Sequence, residues 1–282
     1  MPEAMVGLHI SAAGSLDLAF DRAQEVGADT FQIFTRNPNQ WKFKPIAPET
    51  ETAFLEKRKA SGIRRVVDHM PYLPNLASPQ KATMKLSRYT LDEEVKRCDS
   101  LGIDYLVTHL GSHLGAGIAV GVRNIADAVN EALAGSRGST MVLLENTAGA
   151  KNSVGSRFEE LRLILDKVKK SERIGVCFDT CHSWAAGFDL GSEGAVEHTM
   201  DLFEDCVGQE KLKVVHLNDA KGTLGSKLDR HEFVGQGKIG KKGMRAILRY
   251  EGITDLPLIM ETPFEDAKAM KEELKVVRSL LR

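Results

Sequence analysis

The chain has 282 residues, 42% of them hydrophobic and 27% charged, with a formal net charge of −1. That is enough to bury a full core in one large barrel or two small domains, and the near-neutral balance argues against a generic nucleic-acid coat while leaving room for a local basic groove. The opening M-P-E-A-M-V-G lacks a secretory signal's basic and apolar regions, no apolar run reaches the roughly 18 residues of a membrane span, and Cys98, Cys177, Cys181 and Cys206 show no CxxC or framework spacing, so reduced thiols in a cytoplasmic protein are expected.

Short apolar runs rich in β-branched residues recur at 6–10, 31–34, 65–68, 105–108, 141–144, 174–178, 214–216 and 258–260. Each has the length and composition of a buried parallel strand. Segments with helical apolar spacing separate them. Leu16, Ala19, Phe20 and Ala23 form one stripe, and Leu91, Val95 and Cys98 another. Two more are Ile125, Ala128, Val129 and Ala132, then Leu161, Ile164, Leu165 and Val168. Such alternation predicts an α/β fold, a (β/α)8 TIM barrel, as a single domain over 1–282. A doubly wound open sheet is the alternative, but no G-x-G-x-x-G follows the first run. There is no linker rich in Pro, Gly or Ser and no low-complexity tract. Glycine-bearing loops at 111–121, 149–155, 222–225 and 235–243 follow strand ends, on the face where barrels build active sites.

The strand ends carry the chemistry. The first run ends near His9, the third at His69, the fourth at His109, the fifth at Glu145, the sixth at Asp179, the seventh at His216 and the eighth at Glu261. Parallel barrel strands point the same way, so these residues gather in one mouth. His182 and the triplet Asp229-Arg230-His231 lie just beyond strand ends. One histidine at a strand end is usually a hydrogen-bonded rim residue, and one carboxylate is usually paired with Lys or Arg. Nine ligand-type residues besides His9, with almost no basic residue inside the strands, are a different case, because repulsion and desolvation would be severe without cations. Imidazole plus carboxylate without thiolate is the mix of catalytic zinc sites, although manganese or iron tolerates the same donors. Nine ligands suit two or three ions, with Glu145 central enough to bridge two of them. Alternation along the strand turns Cys181 away from the site, as a packing residue.

The motifs H-I-S-A-A-G at 9–14, H-L-G-S-H at 109–113, L-L-E-N-T-A-G at 143–149, F-D-T-C-H at 178–182, H-L-N-D-A-K at 216–221, D-R-H at 229–231 and L-I-M-E-T at 258–262 resemble endonuclease IV, in the family's order and over essentially the whole chain. The resemblance implies a zinc-dependent apurinic/apyrimidinic endonuclease of base excision repair. Such an enzyme hydrolyses the phosphodiester 5′ to an abasic site in duplex DNA, leaving a 3′-hydroxyl and a 5′-deoxyribose phosphate, and 3′ end-cleaning is a further activity of the family. It also implies three Zn2+ per chain, with Mn2+ an alternative at one site. The first ion would take His69, His109 and Glu145. The second would take Glu145, Asp179, His216 and Glu261, and the third His182, Asp229 and His231. Glu145 and Glu261 are the implied catalytic residues, orienting the attacking water.

For DNA binding, Thr35-Arg36-Asn37-Pro38-Asn39-Gln40-Trp41 resembles the family's T-x-N-x-x-Q-W loop, which points to Asn37 and Gln40. A plain turn also favours Asn-Pro-Asn. Asn39 stands where the family often has a basic side chain, a departure that bears on how the duplex is bent. Tyr72 and Leu73 match the family's inserting pair, an apolar wedge that compensates for stacking lost when the sugar turns out. Taken without the resemblance, such a pair is better read as ordinary loop packing. Arg230 is the basic candidate for phosphate contact. The implied partner is double-stranded DNA with abasic sites, with no membrane and no obligate protein partner, the chain acting as a monomer. Two other readings compete: a divalent-metal sugar isomerase or epimerase on the same scaffold, which would leave His182, Asp229 and His231 without a task, and a non-catalytic binder of damaged DNA.

Overall fold

The computed structural model describes residues 4–282; the first three residues, which open both the leader stretch and the expected 1–282 domain, lie outside the described residues. The strands in chain order are β1 (Met5–His9), β2 (Thr30–Ile33), β3 (Val66–His69), β4 (Tyr105–Thr108), β5 (Met141–Glu145), β6 (Ile174–Asp179), β7 (Leu212–His216), β8 (Asp219–Ala220), β9 (His231–Glu232) and β10 (Pro257–Met260). All but β8 and β9 close into a parallel barrel in the order β1-β10-β7-β6-β5-β4-β3-β2. The barrel is therefore the fold that the strand–helix alternation predicts, with expected and observed strand limits differing by a residue or two. The short pair β8 and β9 is an antiparallel ribbon between β7 and β10 that no apolar run announces.

The helices are α1 (Leu18–Val26), α2 (Pro48–Ser61), α3 (Lys81–Leu101), α4 (Ile118–Gly135), α5 (Phe158–Leu165), α6 (Thr180–Ala186), α7 (Glu193–Cys206), α8 (Gly240–Arg249) and α9 (Ala267–Leu281). The apolar stripes read from the sequence are their inner faces: Ala19, Phe20 and Ala23 of α1, and Leu161, Ile164 and Leu165 of α5, are buried against the barrel. Leu16 and Val168 fall just outside the helices their stripes predict. α2 buries only Phe54, which is why it leaves no stripe. Glycine is required where the backbone leaves no alternative. In β1, a Cβ at Gly7 would sit 2.0 Å from the Thr30 carbonyl oxygen of the neighbouring strand, and Gly27 ends α1 at a φ of 80°.

The core has two parts. A large shell lies between the strands and helices. Inside the barrel is a small plug of Val67, Val107, Leu143, Cys177, Val214 and Ile259, all fully buried. The four cysteines are free thiols. Among the described residues, no helix is long and apolar enough to cross a membrane. Leu143→Ala removes the plug from directly beneath the mouth. It should cost about 2–5 kcal/mol of stability, measured by denaturant unfolding of the metal-stripped protein, because a closed barrel cannot collapse around the void.

Candidate metal centre

Side chains two apart on a strand share a face. Each plug residue is followed two positions later by a ligand-type residue: Val67 by His69, Val107 by His109, Leu143 by Glu145, Cys177 by Asp179, Val214 by His216 and Ile259 by Glu261. A polar layer thus lies directly on the apolar plug, at the C-terminal mouth of the strands. Ligand atoms of His69, His109 and Glu145 lie within 4.8 Å of one another, as do those of Glu145, Asp179, His216 and Glu261, and those of His182, Asp229 and His231.

Glu145 is fully buried at the junction of the first two groups. Its Oε2 faces His109 Nε2 at 2.9 Å and His69 Nε2 at 3.3 Å, while Oε1 faces His216 Nδ1 at 2.8 Å. His216 Nδ1 also lies 3.1 Å from Glu261 Oε2 and 3.9 Å from Asp179 Oδ2. Donors bound at about 2.0–2.2 Å around a tetrahedral zinc are separated by roughly 3.3–3.6 Å. The spacings found here scatter around that value.

The third group depends on local helix chemistry. Asp179 ends β6 and caps α6, its Oδ1 accepting the His182 N–H at 2.7 Å. That cap sets the D-x-x-H spacing and brings the His182 ring to the mouth. His182 Nε2 then meets Asp229 Oδ2 at 3.2 Å. His231 starts β9, and the ribbon is held by Asp219 in β8. The Asp219 carboxylate accepts N–H groups from Ala220, Gly235, Gly237, Ile239 and Gly240 at 2.8 to 3.1 Å. His231 Nε2 is buried with no hydrogen-bond partner, 3.4 Å from Asp229 Oδ1 and 3.7 Å from Asp179 Oδ2. A buried lone pair left so among carboxylates is what a cation would satisfy, and the residues present fit divalent metal in all three groups.

Other ring nitrogens are held by the frame, as metal-binding imidazoles commonly are. His69 Nδ1 donates to the Met70 carbonyl at 2.7 Å and His182 Nδ1 to the Asn146 carbonyl at 2.9 Å. Burial opposes charge on every group here, but mutual attraction prevails at most of them. His109 is raised above the ordinary imidazole value by Glu145. His182 is raised well above it by Asp179, Asp229 and Glu145, and His216 by Cys177, Glu261 and Glu145. Glu145 is held well below the usual carboxylate range by His109 and His216, and Glu261 by His216. His9 differs: burial lowers it to about 4, and it joins none of the three groups.

Sequence reasoning turned Cys181 away from the site, yet its sulfur lies within 4.8 Å of ligand atoms of Asp179 and His231. The chain becomes helical at Thr180, so strand alternation no longer applies. Burial pushes the Cys181 thiol up, and Sγ contacts the Arg230 carbonyl at 3.6 Å. Three amides went unread. Asn146 accepts the Asp179 N–H, Asn218 donates to Asp179 Oδ2 at 2.7 Å, and Gln32 donates to Glu261 Oε1 at 2.6 Å. Asn218 sits two residues after His216, so the same period of two finds it; Asn146 directly follows Glu145, off that period, and Gln32 gives no signal of its own within apolar β2.

The DNA-reading candidates surround this mouth. Asn37 and Gln40 are exposed, and Asn37 Oδ1 accepts the Asn39 N–H at 3.0 Å, making the turn its residues favour. Tyr72 is 56% exposed and Leu73 38%, and the Tyr72 ring packs against that of Phe34 at 5.3 Å between centroids. The Tyr72 N–H donates to the Pro38 carbonyl at 3.2 Å, joining the two loops. Its ring lies 6.2 Å from that of His109. Arg230 is exposed beside Asp229.

A family model described as a xylose isomerase-like TIM barrel matches residues 20–280. The protein named "Probable endonuclease 4" in Methanoculleus marisnigri is 49% identical over 277 residues, covering 98% of each chain. Its namesake in Nitrosopumilus maritimus is 46% identical over 272 residues, covering 96% of this chain and 97% of the other. The crystal structure of endonuclease IV from Thermus thermophilus superposes with a TM-score of 0.88 at 34% identity, covering 99% of both chains. A D-tagatose 3-epimerase-like protein superposes at 0.73 with 21% identity over 98% of each chain, a likeness of fold alone.

The electrostatics make a signed prediction. Imidazoles whose values are raised on folding stabilise the metal-free protein fully below their ordinary value near 6.5, and that stability is lost as pH rises through the raised values. Metal needs the same nitrogens deprotonated, so its binding strengthens over that interval. From about pH 6 to 9 the melting temperature of chelator-stripped protein should fall while the gap to metal-loaded protein widens. A gap constant with pH would contradict this.

Proposed function

Because the chain belongs to the endonuclease IV family of xylose isomerase-like TIM barrels, we propose that this endonuclease of DNA repair is a zinc-dependent apurinic/apyrimidinic endonuclease. It hydrolyses the phosphodiester 5′ to an abasic site in duplex DNA, leaving a 3′-hydroxyl and a 5′-deoxyribose phosphate, with 3′ end-cleaning as a side activity. It works inside the cell as a monomer, in a single domain over 1–282. The observation that carries this reading is the division of Glu145 between two ligand groups, with a third group beside them in one mouth.

His69, His109 and Glu145 would hold one Zn2+, Glu145, Asp179, His216 and Glu261 a second, and His182, Asp229 and His231 a third, with Mn2+ tolerated at one. When bound, such ions supply a water acidic enough to attack at neutral pH and neutralise charge on the phosphate. The protein's own part is to hold geometry. Glu145 and Glu261, kept ionised by the imidazoles around them, accept the hydrogens of the attacking water and orient it. Tyr72 and Leu73 fill the stack beside the turned-out sugar, and Asn37, Gln40 and Arg230 hold the flanking strand. The sugar-isomerase reading gives His182, Asp229 and His231 nothing to do.

Incision of a labelled duplex holding one tetrahydrofuran abasic analogue, run beside metal analysis, tests this directly. The analogue cannot undergo β-elimination, so a cut must be hydrolytic. The expected result is a 5′-side cut with three zincs per chain. Glu145→Gln and Glu261→Gln should each lose at least about 100-fold in rate while keeping DNA affinity. Full metal without incision would move the assignment to the sugar isomerases, and binding without incision to a damage-recognition module.

A further inference from the structure

Gln32 belongs to none of the three ligand groups, yet it is fully buried in the polar layer, and each of its hydrogen-bonding atoms is engaged by a side chain of the mouth. The proton inventory around it has one solution. The amide nitrogen of Gln32 donates to Glu261 Oε1 at 2.6 Å. The other amide hydrogen goes to His9 Nδ1 at 3.1 Å. Gln32 Oε1 is left facing His216 Nε2 at 2.9 Å, so that nitrogen carries the proton. With the Nε2 proton committed to Gln32, Nδ1, which faces Glu145 Oε1 and Glu261 Oε2, is the His216 nitrogen left to take a metal in exchange for its own proton. Flipping the amide would set donor against donor at His216 and acceptor against acceptor at Glu261.

We propose that Gln32 is a positioning residue, whose single carboxamide presets His216 Nδ1 and Glu261 Oε2 as the ligand atoms of the Glu145, Asp179, His216 and Glu261 group. It does so from strand β2, which contributes no ligand itself. The Glu261 carboxylate orients the amide, and the amide oxygen in turn holds the proton on His216 Nε2, leaving Nδ1 as the nitrogen that metal binding deprotonates. Without that relay the imidazole is free to place its proton on either nitrogen, and Glu261 loses the donor that turns Oε1 away from the group. The inference rests on the metal-centre reading above.

The test is zinc titration of the metal-stripped protein in competition with a chromophoric chelator, with long-range 1H–15N spectra of the imidazoles of the same samples, for wild type, Gln32→Leu and Gln32→Glu. Wild type should take three zincs and, once loaded, show His216 with its proton on Nε2. In Gln32→Leu one zinc per chain should bind on the order of 10–100-fold more weakly while the other two are unchanged, and His216 should show mixed tautomers. Gln32→Glu keeps the shape but sets a carboxylate against Glu261, and should weaken the same single ion even if the leucine variant folds poorly. Wild-type affinities at all three ions in Gln32→Glu would overturn the proposal alone. A wild type that binds no zinc would overturn the metal-centre reading and the proposal with it.

Discussion

In a closed parallel barrel the side chains of every strand alternate between the interior and the helical shell, and all strands deliver their C-terminal ends to one rim. The site depends on that constraint. Once Val67, Val107, Leu143, Cys177, Val214 and Ile259 fill the interior, the residue two further along each strand has nowhere to go but the space above them. Six strands therefore set His69, His109, Glu145, Asp179, His216 and Glu261 in one layer without any loop having to find its own conformation. A slip of one residue in any strand would turn its ligand into the helical shell.

The charge density of that layer would be prohibitive if it were isolated. Glu145 is fully buried, and burial alone would drive its proton on. The imidazoles offset this, the amides of Gln32 and Asn218 supply directional donors to the carboxylates of Glu261 and Asp179, and Asn146 pins the Asp179 backbone. The result is a preorganised site, in which reorganisation is largely completed at folding and not left for the reaction.

Loops around the rim are tied to one another more than to the barrel. The Tyr72 N–H reaches the Pro38 carbonyl, Asn75 exchanges hydrogen bonds with Ser112, and Asp219 gathers a turn of backbone N–H groups that places His231. Stitching of this kind lets exposed Tyr72 and Leu73 stand at fixed height above the layer. It also explains how a two-stranded ribbon, too short to be stable alone, can present a ligand.

The sequence by itself determined the barrel, because eight apolar runs alternating with helical stripes allow few other ways to bury both. It also singled out the candidate ligands that the structure brings together in three groups, since His and Glu at consecutive strand ends are costly to bury unless they share a purpose. Its motifs were specific enough to indicate the family that the comparisons then showed. Position 32 was legible only in principle: a glutamine in an apolar strand is no signal until the neighbouring strands show that it faces Glu261 and His216. Cys181 was misread because alternation was misapplied: residues two apart share a face, and the helix that Asp179 caps keeps the sulfur near Asp179 and His231. What only the tertiary structure decided was which oxygen of Glu145 serves which group, which nitrogen of each imidazole is left open, and how β8 and β9 bring His231 back to His182. Those are choices of orientation between residues far apart in the chain, and no spacing along the sequence encodes them; they exist only once the barrel is closed.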